Sequence, residues 1–130
     1  MHSEHEEAMR FDFHDRVALS WKALQPAVTD AQADEIERRV SEYDQRWQSG
    51  PHALEWDFLH AAYTDWRDQP QLMAKFAEDL RVNPTVYTDY GLTDVQRRSL
   101  DQARTIAHEQ RCAIDALDAS AQRLPIRRDR

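Results

Sequence analysis

The scarcity of glycine and proline is the strongest constraint on what this chain can fold into. It has 2 glycines and 5 prolines among 130 residues. Hairpin turns depend on glycine, and an all-β protein of this size needs many such turns. The sequence therefore disfavours β architectures and favours long helices, and its length suits one domain with a real hydrophobic core.

Apolar residues recur at helical spacing in five segments, which prolines, a glycine and capping residues separate. The segments cover residues 3–25, 29–48, 52–69, 71–82 and 93–124. We therefore expect an all-α bundle of about five helices with a long C-terminal helix. This bundle forms a single domain over residues 1–124, and residues 125–130 form a basic C-terminal tail.

Three helix starts carry the spacing of a capping box, in which two side chains satisfy the free amides of a first helical turn. They are Ser3 with Glu6, Thr29 with Gln32, and Thr93 with Gln96. We expect the first, second and fifth helices to begin at these pairs.

The third and fifth segments differ in how much of their surface is apolar. The third is apolar around most of its circumference, so it needs neighbours on nearly all sides and belongs at the centre of the bundle. The fifth has a narrow row with 3/4 spacing that is largely alanine and would extend about 45 Å. That row packs either on the bundle or on a second chain, which would make a homodimer through helix five.

The net charge of −7 is unevenly distributed. Residues 1–90 carry 18 acidic and 9 basic side chains, whereas residues 91–130 carry 6 acidic and 8 basic ones. Nonspecific nucleic-acid binding depends on neutralising phosphates, so the acidic bulk argues against a nucleic-acid partner. We interpret the basic residues at 123–130 as a solvated terminus.

The single cysteine, Cys112, excludes an intrachain disulfide and favours a reducing compartment. No apolar run approaches the ~18 residues of a membrane span. The first ten residues also lack the apolar core of a secretory signal. We therefore expect a cytoplasmic protein that has no membrane partner.

Motifs for catalysis, cofactor binding and metal binding are absent from the sequence. There is no glycine-rich phosphate loop or nucleophile elbow, and no Glu-x-x-His pair of the kind that di-iron bundles use. His108 and Cys112 have helical i, i+4 spacing, but they supply only two of the four ligands of a closed zinc site. We expect no catalytic residue, no metal and no cofactor.

Glu55 projects into the apolar arc of the third helix, where a buried carboxylate costs free energy unless it is paired. We expect an arginine from another helix to pair with it. The alternative is a small-molecule or catalytic pocket formed by Glu55, His60 and Trp66.

Four residues are candidates for contact with a partner protein. Trp56 falls near the edge of the apolar arc, so we expect it to be partly exposed, and exposed tryptophans are enriched at binding hot spots. Tyr87, Asp89 and Tyr90 lie in a turn whose capping residues, proline and glycine have local structural reasons to be there, whereas these three do not.

The stretch "RVNPTVYTDYGLTDVQRRSL" resembles the middle of the small alpha subunit of extradiol ring-cleavage dioxygenases of the protocatechuate 4,5-dioxygenase type. The resemblance covers about 25 residues, and the matching ones are Phe76, Pro84, Tyr87, Tyr90, Leu92, Thr93 and Gln96. In that family the metal ligands lie in the other subunit. The resemblance therefore implies a helical hairpin and an accessory role without activity of its own.

These observations favour a non-catalytic protein–protein interaction module, such as an accessory subunit, adaptor or regulator. One alternative is an acidic inhibitor or immunity-type protein that blocks a basic surface of its partner, because residues 1–90 are so acidic. A second alternative is a small-molecule-binding or enzymatic bundle with its pocket near Glu55.

Overall fold

All regular secondary structure in the described part of the chain is helical. The computed structural model describes residues 1–83 and 92–127, with side chains through residue 119. Its five helices are α1 (Ser3–Ala23), α2 (Asp30–Gln48), α3 (Ala53–Asp68), α4 (Pro70–Val82) and α5 (Asp94–Arg127). The predicted all-α bundle with a long C-terminal helix is confirmed, and none of these helices is both long and apolar enough to span a membrane.

Two of the three predicted capping boxes are present. The Thr29 hydroxyl accepts from the Gln32 amide at 3.1 Å, and the Gln32 side chain accepts from the Thr29 amide at 2.9 Å. Thr93 and Gln96 make the same two bonds at 3.1 and 3.0 Å. Each box satisfies amides that a first helical turn leaves free, which is why α2 and α5 begin where the sequence predicts.

The capping box predicted for α1 is wrong. His2 occupies the N-cap position and makes no side-chain capping bond. The carboxylate of Glu6 instead accepts hydrogen bonds from Arg10 and Arg98. A charge-assisted pair with two guanidinium groups is stronger than a bond to a backbone amide, so Glu6 binds Arg10 of its own helix and Arg98 of α5 and does not cap α1.

Helix α3 lies at the centre, as its apolar circumference predicts. It packs most extensively on α5 and also contacts α2 and α4. From α1, the ring of Phe13 meets Trp56 and Tyr63 edge to face, at centroid distances of 5.5 and 5.8 Å. The fully buried side chains of this core include Met9, Phe13, Trp56, Leu59 and Ala103.

A polar cluster joins α1 to the first half of α5. Glu6, only 6% exposed, binds Arg98 through both carboxylate oxygens at 2.6 and 2.7 Å. Arg10 donates to Glu6, to the Ser99 hydroxyl and to the Gln102 side chain. The hydrogen bonds from Arg98 and Arg10 lower the pKa of Glu6 to about 2, against the opposing effect of burial. The cluster therefore holds α5 in a fixed position against α1.

Candidate functional site: a groove beside α5

The long helix α5 extends well past the helix that covers it. Helix α3 has 16 residues, about 24 Å, whereas α5 has 34 residues, about 51 Å. The buried residues of α5 are Ser99, Ala103 and Ile106, and none of its described side chains from residue 107 to residue 119 is buried. Residues 107–119 of α5 therefore form a helix surface without full cover from the other described residues.

A groove of about 620 Å³ lies where α3 ends and α5 continues. Such a volume is within the range of ordinary ligand sites, roughly 300–1,000 Å³. Its apolar lining comes from four helices, and consists of Trp21, Trp66, Pro70, Ala107 and Ile114. Because these helices belong to one packed core, the groove has a preformed apolar floor.

The groove is basic although the protein is acidic. Arg67, Arg104 and Arg111 line it, together with one acidic residue, Glu109. The guanidinium of Arg104 lies 5.2 Å from the ring centroid of Trp66, in cation–π geometry. An excess of cations beside apolar walls favours an occupant that combines an apolar surface with negative charge.

Two buried N–H groups near the groove have no hydrogen-bond partner among the described residues. They are Nε1 of Trp66 and Nε2 of Gln110. The Gln110 side-chain oxygen accepts from the Tyr63 hydroxyl at 2.5 Å, and burial raises the pKa of Tyr63, which keeps its proton in place. Unpaired buried donors are rare in folded proteins, and their uncompensated dipoles add to the positive potential of the site.

One of the three predicted pocket residues lines this groove. Trp66 lines the groove, whereas Glu55 and His60 do not. Glu55 is half-buried in the first turn of α3 and forms no ion pair with any arginine of the described residues, so the pairing expected for it is not observed. His60 is half-buried with its ring 6.1 Å from that of Phe13, and burial lowers its pKa.

The expectation that Trp56 is partly exposed is wrong, because its side chain is 0% exposed. Its ring stacks on Trp47 of α2 at 5.7 Å, and its Nε1 donates to Asp44 at 3.1 Å. Asp44 also pairs with Arg16 of α1. Trp56 therefore has no surface to offer a partner, and an interhelical acceptor satisfies its polar edge.

The remaining partner-binding candidates, Tyr87, Asp89 and Tyr90, lie outside the described residues.

On α5, Cys112 Sγ lies 3.6 Å from His108 Nε2 at an exposed position. No group of three or more histidine, cysteine or acidic side chains within residues 1–83 and 92–119 is arranged to hold a metal ion.

Sequence reasoning missed the basic part of the groove, Arg67, Arg104 and Arg111. The unequal lengths of the third and fifth segments did give a usable signal for the uncovered part of α5, because an apolar row much longer than its central neighbour must extend past it. Comparisons of the chain with protein-family models, with curated proteins and with solved structures found no match.

Proposed function

We propose that this chain is a non-catalytic protein-interaction module whose docking surface is the groove and residues 107–119 of α5. The observation that carries the proposal is the continuation of the apolar row of α5 beyond its covering helices. Ala107, Gln110, Ile114 and Leu117 follow one another at intervals of three or four residues, and all but Gln110 are apolar. Leu117, at the far end, is 60% exposed.

The occupant that fits this surface is an amphipathic helix of another protein. A narrow row at 3/4 spacing is complementary to the same row on a second helix, as in helix-in-groove recognition. Trp21 and Trp66 belong to the apolar lining of the groove, where a large side chain of the partner would be enclosed. Large enclosed contacts of this kind dominate binding free energies.

The charge of the groove supports a partner helix with acidic side chains. Arg104 and Arg111 form no ion pair with any of the described residues, whereas Arg67 pairs with its neighbour Asp68. Acidic residues beside the apolar face of the partner helix would pair with these arginines. The acidic remainder of this protein would repel the same helix, so electrostatics would direct it to the groove.

Two synthetic helical peptides with identical apolar positions test this proposal, one flanked by glutamate and the other by lysine. We expect the glutamate peptide to bind more tightly, and Leu117→Glu to weaken its binding roughly tenfold or more. Leu54→Glu is the matched control, because Leu54 is 82% exposed on α3 and does not line the groove. The proposal would be contradicted if Leu117→Glu and Leu54→Glu bound the glutamate peptide equally, or if the protein preferred the lysine peptide.

A second copy of this chain is the competing occupant, and light scattering separates the two cases. If the occupant is another protein, the purified chain should be a monomer. If the purified chain is a dimer and Leu117→Glu dissociates it, the occupant is the α5 helix of a second copy and not another protein.

The groove volume also favours a second candidate function, the binding of a small apolar anion. Leu117 does not line the groove, whereas Ile114 does. A small ligand would therefore respond to Ile114→Glu alone, and a docked helix to both substitutions. The fluorescent sulfonate 8-anilinonaphthalene-1-sulfonate and the matched pair decanoate and decylammonium are suitable probes.

A further inference from the structure

Two histidines distant in sequence meet where the first turn of α1 approaches the start of α3. Nδ1 of His5 lies 3.1 Å from Nε2 of His52. Their ring centroids are 5.2 Å apart and the ring planes are nearly perpendicular, at 85°. His5 belongs to α1, and His52 is the N-cap residue of α3, so the contact joins two helices.

We propose that His5 and His52 form a two-histidine site for a transition-metal ion such as Ni²⁺, Cu²⁺ or Zn²⁺. Metal–imidazole bonds are about 2.0–2.1 Å long, which places two nitrogens on one ion about 2.9 Å apart at a right angle and about 3.3 Å apart at the tetrahedral angle. The observed separation of 3.1 Å lies between these values.

The chemistry of the pair suits these ions and not Mg²⁺ or Ca²⁺, which prefer oxygen ligands. In the hydrogen bond, one of the two nitrogens carries a proton and the other accepts it. Moving that proton to the second nitrogen of the same ring leaves both facing nitrogens free to bind the ion, and no proton has to leave the protein. Water completes the coordination.

The surroundings leave the site accessible and partly preorganised. His5 is exposed, so ions reach it from solvent, whereas His52 is half-buried with its ring 6.3 Å from that of Trp47. Neither histidine lines the α5 groove, so this inference is independent of the proposed function. A bound ion would link the start of α1 to the start of α3.

Calorimetric titration of the full chain with NiCl₂ tests the site, in a Cys112→Ser background that removes the only thiol. We expect one Ni²⁺ site whose affinity falls roughly tenfold or more in His5→Ala and in His52→Ala. His14→Ala and His108→Ala are matched controls, one on α1 and one on α5, and should bind as the background does. Unchanged binding in His5→Ala and His52→Ala would overturn the proposal.

Thermal unfolding tests the link between the helices separately. NiCl₂ should raise the Tm of the background variant, MgCl₂ should not, and the rise should vanish in His52→Ala, because an ion that binds only the folded state stabilises it. Equal Tm values of the background variant and of His52→Ala, both measured without metal, would show that His52→Ala still folds. Bound Ni²⁺ that leaves the Tm of the background variant unchanged would overturn the link.

Discussion

The two halves of α5 carry the same kind of sequence pattern and have different environments. In the first half, Ser99, Ala103 and Ile106 are buried. In the second half, Ile114 is half-buried and Leu117 is exposed. An apolar row on a helix therefore indicates a packing surface. The lengths and positions of the neighbouring helices decide whether the bundle or another molecule covers that surface.

The largest expected effect compares one large apolar residue from each half. Ile106→Ala should cost about 2–5 kcal/mol of unfolding free energy, because it removes buried methyl groups and leaves a cavity. Leu117→Ala should cost less than about 0.5 kcal/mol, since its side chain is already in water. Urea unfolding measures both, and a Leu117→Ala cost similar to that of Ile106→Ala would show that the second half is covered within the chain.

The polar cluster that anchors the first half should make stability depend on acid. Arg98 and Arg10 lower the pKa of Glu6 from 4.5 to about 2, so its stabilisation is fully present above pH 4.5 and is lost as the pH falls towards 2. Glu6→Gln should cost about 1–3 kcal/mol at neutral pH, a range that allows for water around the half-exposed Arg98.

Urea unfolding at several pH values checks this prediction, because the variant should lose less stability than the parent between pH 4.5 and pH 2. Glu35→Gln is the control. Glu35 pairs with Arg38 on the exposed surface of α2, and its replacement should change little. A parent protein whose stability is constant across this window would contradict the role assigned to Glu6.

Two tryptophans of α3 differ in whether their indole N–H has an acceptor. Trp56→Phe removes the hydrogen bond to Asp44, whereas Trp66→Phe removes an N–H that has no partner among the described residues. Both lose similar ring volume, so Trp56→Phe should cost about 1–3 kcal/mol more than Trp66→Phe. Equal losses in thermal unfolding would mean that Trp66 Nε1 has an acceptor after all.

The smallest expected effect is at the start of α5. Thr93→Ala removes its capping box and should cost about 1 kcal/mol, and amide exchange should accelerate in the first turn. Thr29→Ala removes the equivalent box of α2 and should cost a similar amount, because both boxes have the same two bonds. A much larger loss for Thr93→Ala would show that its cap also positions the whole of α5.

Much of the fold was predictable because its signals are local. Thr29 and Thr93 start helices through bonds to residues three positions away, and Pro70 begins α4 because a first-turn residue needs no amide donor. The central place of α3 followed from its apolar circumference. The candidate site was far less predictable, since Trp66 alone of the predicted pocket residues lines the groove.

The sequence by itself determined five helices, the capped starts of α2 and α5 and a central α3, because hydrogen bonds within a turn and apolar periodicity operate over a few residues. Only the tertiary structure decided that Trp56 is buried against Asp44, that Glu6 binds Arg98 and that Arg104 lies over Trp66 beside the groove. Those contacts join residues that are distant in the chain. Their formation depends on which helices pack together and at what register, which no local pattern records.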